Sequence, residues 1–331
     1  MLTDISLLVL GLSILLLAGD ALVKGAVNLA LRAGVPALLV SLTIVAFGTS
    51  APELLVSVKA ILNGAPGIAL GNVVGSNIAN VLLVLGIPAL LTGLHTSGCD
   101  SRKTFVMMMV ATCVFIGLAY TNLFNWIDGS VLLFGLALML GDALRSAHIH
   151  RRERKTAFAA AEMAGTCSAI ASEEGEVEGA DDSVPTWKIW VYLGLGLLGL
   201  PLGADLLVDA AVNIANDLDV PETVIGLTLV ALGTSLPELA TTVMAAIRGQ
   251  TEVAIGNVIG SNLFNMLAII GIASFVGDIP VDPQTLRFDI WVMFLSSAIL
   301  IPFVFFKCDM KRPVGFVLTA GYIAYVLQVI A

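Results

Sequence analysis

Charge is scarce in this chain of 331 residues. Only 12% of its residues are Asp, Glu, Lys or Arg, about half the share of an average soluble domain. That excludes an ordinary water-soluble fold. Cysteine and histidine are equally thin, with four and three copies. Cys99, Cys113, Cys167 and Cys308 show no CxxC or paired spacing, so they are expected to be free thiols. Neither a disulfide framework nor a thiolate metal centre is expected. His148 and His150 lie in the basic stretch HIHRRERK, which suits attraction to anionic lipid better than metal ligation. No phosphate-binding GxxxxGK[ST] loop occurs, which argues against ATP drive and against a nucleotide partner. No nucleic-acid partner, cofactor or enzymatic activity is expected either. The net charge of −9 comes largely from loops and says little about partners.

What the chain has in abundance is apolar sequence. It is 58% hydrophobic, with mean hydropathy +0.97. In a bilayer every backbone polar group must be satisfied internally, so apolar runs become helices or a closed barrel. The runs here last roughly 18–27 residues, whereas a barrel strand needs about ten in strict alternation. The fold class is therefore an all-α polytopic membrane protein. Ten spans are predicted, at roughly 5–30, 36–62, 67–93, 104–121, 126–144, 187–215, 221–247, 252–277, 287–306 and 312–330. The first lacks a basic n-region and a small-residue cleavage site, so it is read as a retained span. If the 146–186 connection is cytoplasmic, 14 of the 16 Lys and Arg fall on the cytoplasmic side. Lys59 and Arg287 alone fall opposite, as the positive-inside rule asks. Both termini are then extracellular.

The chain also repeats itself. Residues 48–53 read GTSAPE and 233–238 read GTSLPE; 71–80 read GNVVGSNIAN and 256–265 read GNVIGSNLFN. The offset is 185 throughout. Residues 41–86 laid on 226–271 give 23 identities in 46 positions. Five spans precede the central connection and five follow, and an odd number inverts the second copy. The expected organisation is a first five-helix half (1–145), a linker loop (146–186) and a second five-helix half (187–331). Inverted repeats around a shared midplane site are a recurring transporter architecture. The linker passes from basic to Ala-rich to acidic (SEEGEVEGADD). It lacks the D-x-D-x-D-G pattern of a calcium loop and reads as a solvated connection with room for one short helix.

Each copy places a carboxylate inside an apolar span, which is costly unless it serves a purpose. In the second span, Pro52 has no N–H to give the carbonyl of Gly48, so the helix opens there. Carbonyls from Ala46 to Thr49 become available beside Glu53, with Thr49 and Ser50 one turn back on the same side. The seventh span repeats this with Ala231, Gly233, Thr234, Ser235, Pro237 and Glu238. Gly71/Gly75 and Gly256/Gly260 are GxxxG pairs suited to close packing. Ser76 and Asn80, and Ser261 and Asn265, share a face at i, i+4. Asn72, Asn77, Asn257 and Asn262 are read as caps or bridges of backbone groups. Asp20 and Lys24 are spaced to pair at a span end; Asp205 and Asp209 hold the equivalent positions. Asp128 and Asp142 sit near span ends, where they can cap or snorkel. Met107 to Met109 are packing or lipid-facing residues. The motif inventory is all oxygen: two carboxylates, carbonyls, hydroxyls and amides. It suits hard cations, Ca²⁺ foremost, with Na⁺ also acceptable, and is poor for zinc or copper.

At these motifs the sequence resembles the cation/calcium exchanger superfamily, specifically its prokaryotic Na⁺/Ca²⁺ exchanger branch, over essentially its whole length. The two GTS-x-PE blocks, each followed 23 and 27 residues after Glu by Ser and Asn, look like the family's α-repeats. The resemblance implies that Glu53 and Glu238 bind Ca²⁺ with backbone oxygens of Thr49 and Thr234. It implies that Ser50, Ser76, Ser235, Ser261 and the carbonyls of Ala46 and Ala231 help to bind Na⁺, with Asn80 and Asn265 completing the centre. It further implies three Na⁺ per Ca²⁺. Members often carry Asp at the position of Asn265, including the potassium-dependent branch; the amide here lowers the site's charge and argues against K⁺ coupling. The expectation is a Na⁺/Ca²⁺ antiporter of the prokaryotic cell membrane, with the ions as substrates and the lipid bilayer as surroundings. A Ca²⁺/H⁺ antiporter is the alternative, although that branch usually reads GN-x-x-E at its glutamates. A Ca²⁺ channel fits less well, because two inverted halves in one chain suit alternating access better than a symmetric pore.

Overall fold

A computed structural model describes residues 2–96, 101–164, 184–217 and 233–330. The described chain is helical apart from two short strands. The helices are α1 (Leu2–Ala33), α2 (Ala37–Thr49), α3 (Ala51–Leu62), α4 (Pro66–Leu91), α5 (Arg102–Ala119), α6 (Trp126–Ala164), α7 (Thr186–Asp217), α8 (Leu236–Ile247), α9 (Thr251–Val276), α10 (Thr285–Phe305) and α11 (Arg312–Ile330). Among the described residues, eight helices are each long and apolar enough to cross a bilayer. The bent pair α2–α3 makes a ninth span. The seventh predicted span is described from residue 233 onward, as the end of a broken helix and α8; its first half lies outside the described residues. The all-helical fold class holds, and the described helices fit the ten-span reading.

One difference from the sequence reading has a physical cause, and one expectation is met at a definite residue. α6 does not stop at 144. It runs 39 residues, about 58 Å at 1.5 Å per residue, well beyond a hydrocarbon layer of about 30 Å. Residues 146–164 are rich in Arg, Lys, Glu and Ala and contain no Gly or Pro before Gly165, so nothing ends the helix. The first part of the 146–186 linker is thus helix rather than loop; residues 165–183 lie outside the described set. In the second span, the break falls at Ser50 (φ −84°, ψ 2°), which joins α2 to α3 at a 41° bend. Ser235 adopts the same conformation (φ −90°, ψ 1°) before α8. Each break lies two residues before a proline, which cannot continue the hydrogen-bond ladder.

α4 and α9 form the centre. Of their most apolar 18 residues, 78% and 89% are buried, against 28% in α1 and 17% in α11. α1 and α7 pack antiparallel through small residues. A Cβ on Gly11 would meet Gly203 O at 2.9 Å, one on Gly199 would meet Ala18 Cβ at 2.8 Å, and one on Gly25 would meet Leu193 Cδ2 at 2.9 Å. Such contacts let backbones approach where no hydrophobic force drives association. The inversion is visible in the loops. Strand β1 (Leu123–Phe124) pairs with β2 (Ile279–Pro280), with Phe124 opposite Ile279. At the other end of α5, where Arg102 donates to Phe305 O at 3.1 Å, Leu94 pairs with Met310. Leu94 and Ile279 are 185 apart in sequence, so equivalent contacts close opposite faces of the molecule.

Several expected polar pairings are met, although Asp20, Lys24 and Asp142 lie inside their helices rather than at the ends. Lys24 pairs with Asp20 at 2.9 Å, and Arg248, just beyond α8, also binds Asp20. Asp128 accepts from the backbone N–H of Asn125, whose side chain in turn caps Ile127 at 2.7 Å. Lys103 holds Asp142 at 2.6 Å. Cys113 and Cys308 are free thiols; Cys99 and Cys167 lie outside the described residues.

Candidate functional site

The two glutamates sit in the first turn of α3 and of α8, at the broken helices. Glu53 is 1% exposed and Glu238 0%. They belong to one site, because Ser50 Oγ of the first half donates to Glu238 Oε1 of the second at 3.2 Å. Neither has a Lys or Arg partner among the described residues.

Each glutamate's own carbonyl is held in the same way. Asn72 Nδ2 donates to Glu53 O (3.2 Å) and to Ser57 Oγ (3.0 Å). Asn257 Nδ2 donates to Glu238 O (3.4 Å) and to Thr242 Oγ1 (3.1 Å). The two sets differ in number by 185 throughout. Asn77 caps Val73 O at 2.7 Å and Asn262 reaches Asn77 O at 3.4 Å, so all four asparagines expected to bridge backbone groups do so. Ser57 and Thr242 were missed by the sequence reading. The signal was available, since both hydroxyls stand four residues after a glutamate at the repeat offset.

Asn80 and Asn265 each open a π-helical turn, Asn80–Val84 and Asn265–Ile269. There the helix widens and side chains are re-aimed, a feature common at functional sites. Both asparagines are buried, as are Ser76 and Ser261. Thr49 Oγ1 donates to Ala46 O at 3.3 Å and lies 3.5 Å from Asn257 Oδ1. Ala46 O also accepts Ser50 N–H at 3.0 Å, so in this conformation it carries two donors instead of being freed by the break, because Pro52 removes the partner of the Gly48 carbonyl and not of Ala46. Ala231 lies outside the described residues.

Polar atoms left without hydrogen bonds mark the site. Nine buried side-chain N and O atoms lack a partner among the described residues, and seven belong to predicted site residues: Glu53 Oε2, Asn80 Oδ1, Ser235 Oγ, Glu238 Oε2, Ser261 Oγ and both amide atoms of Asn265. Each such atom costs about 1–3 kcal/mol, and a charged one more. A cation offsets that cost at every oxygen it touches.

A cavity of 390 Å³ touches the site at Ser235, one of these residues. Its lining includes Ser76 and Thr234 beside Ser235, and also Asp289, Tyr322 and Tyr325; Tyr325 Oη donates to Asp289 Oδ1 at 3.0 Å. These last three escaped the sequence reading. Their repeat equivalents, Thr104, Ala137 and Leu140, carry no matching chemistry. The cavity also corrects the reading of the glycine pairs. A Cβ on Gly256 would lie 2.9 Å from Leu38 O, and one on Gly260 2.6 Å from Leu42 O, as close packing requires. Gly71 and Gly75 line the cavity and have nothing within 4 Å of a Cβ.

Comparison with known proteins gives the family and the fold. The family model described as Sodium/calcium exchanger protein matches residues 3–141 and 188–331. Inner membrane protein YrbG of Escherichia coli is 33% identical over 326 residues, covering 98% of this chain and 96% of the relative. Sodium/calcium exchanger MaX1 of Methanosarcina acetivorans is 33% identical over 340 residues, covering 97% of each. Among solved structures, the sodium-calcium exchanger NCX_Mj soaked with zero Na⁺ and Ca²⁺ superposes with a TM-score of 0.79 at 29% identity over 98% of both chains. The chain, with its duplicated glutamate motifs meeting in one buried site, belongs to the sodium/calcium exchanger family.

Proposed function

We propose that the protein is a secondary antiporter that exchanges Na⁺ for Ca²⁺ across a membrane by alternating access. One observation carries this reading: two buried carboxylates from inverted halves meet among hydroxyl and amide atoms without hydrogen-bond partners. Ca²⁺ takes six to eight oxygen ligands in flexible geometry. Na⁺ accepts the same hydroxyl and carbonyl oxygens, so one cluster serves both ions in turn.

Glu53 and Glu238 are the Ca²⁺ carboxylates, with backbone oxygens of Thr49 and Thr234. Ser50, Ser76, Ser235, Ser261 and the carbonyls of Ala46 and Ala231 serve Na⁺, and Asn80 and Asn265 complete the centre. Burial of these side chains in the described residues supports the assignment. The two halves, 1–145 and 187–331, are joined by a cytoplasmic connection at 146–186, and both termini are extracellular. The distribution of Lys and Arg supports this orientation, and the gap in the family match at 142–187 supports the boundary. Under this orientation the cavity opens extracellularly, near the C-terminal end of α11. Exchange is electrogenic and independent of K⁺.

The test is ⁴⁵Ca²⁺ uptake into proteoliposomes under an imposed Na⁺, K⁺ or H⁺ gradient. Uptake driven by internal Na⁺ is expected. Uptake that ignores Na⁺ and follows a pH gradient moves the protein to Ca²⁺/H⁺ exchange.

A further inference from the structure

Asn80 is useful to a cation only through its oxygen, because the other end of the amide is a donor. Something must therefore decide which end faces the site. The decision begins at the main-chain carbonyl of Asn77, which can only accept. Asn262 Nδ2 donates to it at 3.4 Å, and lies 3.9 Å from Met108 Sδ, a weak acceptor. This fixes Asn262 Oδ1 on the opposite side, where it accepts Asn80 Nδ2 at 3.0 Å. Asn80 Oδ1 is what remains, buried and without a partner. Turning Asn262 over would set its amide nitrogen against that of Asn80 and its oxygen against the Asn77 carbonyl. Asn77, Asn80, Asn262 and Met108 are all at most 1% exposed, so solvent does not soften either clash.

The equivalent pair is set differently. Asn77 Nδ2 is committed to Val73 O, while Asn77 Oδ1 and both amide atoms of Asn265 are buried without partners. In this conformation the orienting hydrogen bond exists in one direction only, from the second half onto the first.

We infer that Asn262 is a positioning residue for cation binding: it holds the Asn80 amide with Oδ1 toward the site and does not itself touch the ion. The inference rests on the proposed cation site and adds to it a residue outside the twelve ligands. Removing an outer partner of a metal ligand typically lowers metal affinity 10–100-fold.

The experiment is a double-mutant cycle on the purified full-length protein: native, Asn80→Ala, Asn262→Ala and both together. KM for Ca²⁺ is read from Na⁺-driven ⁴⁵Ca²⁺ uptake, and the Ca²⁺-induced rise in Tm is read in detergent. Asn262→Ala is expected to raise KM about tenfold in the native background and to change it little when Asn80 is already Ala. An equal factor in both backgrounds, or no change in the native one, overturns the inference. Asn262→Gln covers the case in which the alanine variant does not fold, because its amide keeps both an acceptor for Asn80 Nδ2 and a donor for Asn77 O. Its KM is expected to stay within about threefold of native on that ground, and a tenfold rise in the folded variant counts against the inference. If the native protein shows no Na⁺-driven uptake, the transport reading fails. The Ca²⁺-induced Tm shift then tests the Asn262–Asn80 relation by itself.

Discussion

At the scale of single residues, the two glutamates carry the most. Glu238 has one oxygen held by Ser50 and the other without a partner; Glu53 Oε2 is likewise unpartnered. Changing Glu53 or Glu238 to Gln keeps the shape and an acceptor oxygen but removes a charge from a water-poor site. The loss of one charged ligand, about 3 kcal/mol or more, corresponds to at least about a 100-fold weakening of Ca²⁺ affinity. Ca²⁺ uptake in proteoliposomes is expected to vanish while membrane expression survives; near-native flux in either purified variant removes that glutamate from the site. Asn265→Asp restores the carboxylate often found at this position in the family. It is expected to alter cation selectivity while keeping exchange, and complete indifference of the Ca²⁺, Na⁺ and K⁺ dependences would place Asn265 outside the site.

At the scale of helices, the two repeats are alike in sequence and unlike in space. A methyl group on Gly260 would come within 2.6 Å of both Leu42 O and Ala46 Cβ, whereas Gly75 opens on the cavity. Gly260→Ala must push α9 off α2, an overpacking cost of about 1–3 kcal/mol. Gly75→Ala stays within about 0.5 kcal/mol of native stability. Thermal unfolding in detergent separates the two, and equal losses would contradict the packing described. The ion pair between α1 and the end of α8 gives a second contrast. Arg248 and Asp20 side chains are 26% and 19% exposed, so Arg248→Ala is expected to cost about 1–2 kcal/mol. The Lys24 side chain is 38% exposed, and Lys24→Ala costs less, about 0.5 kcal/mol. A reversal of that order in Tm would show that Lys24 is the main partner of Asp20.

At the scale of the molecule, the proposed electrogenic exchange, if it carries the three Na⁺ per Ca²⁺ that the family resemblance implies, moves one net charge per cycle, worth about 2.3 kcal/mol at 100 mV. Ca²⁺ uptake into Na⁺-loaded vesicles should therefore respond to a membrane potential clamped by valinomycin. It should not require K⁺, because Asn80 and Asn265 add amides rather than a third carboxylate to balance a further cation. Voltage-indifferent uptake would contradict the three-to-one ratio, and a K⁺ requirement would contradict the role given to the two amides.

Most residues of the candidate site were legible before the fold. Two copies of GTS-x-PE and GN-x-x-GSN at a constant offset name the glutamates, hydroxyls and amides, because intramembrane polar groups are too costly to keep idle. Helical class follows from the length of the apolar runs, since no other open structure satisfies its backbone in lipid. Sequence could not say that Gly75 is free while Gly260 is packed, since identical motifs carry no record of which face of the protein is open. Nor could it reveal that Asp289 and Tyr325 line the cavity, because the repeat holds no counterpart to them. The direction of the Asn80 amide was equally out of reach, for it depends on a carbonyl and a side chain brought together from opposite halves. Local composition and repeat decide which residues enter the membrane and with what chemistry; the packing of two inverted halves decides which of their atoms meet.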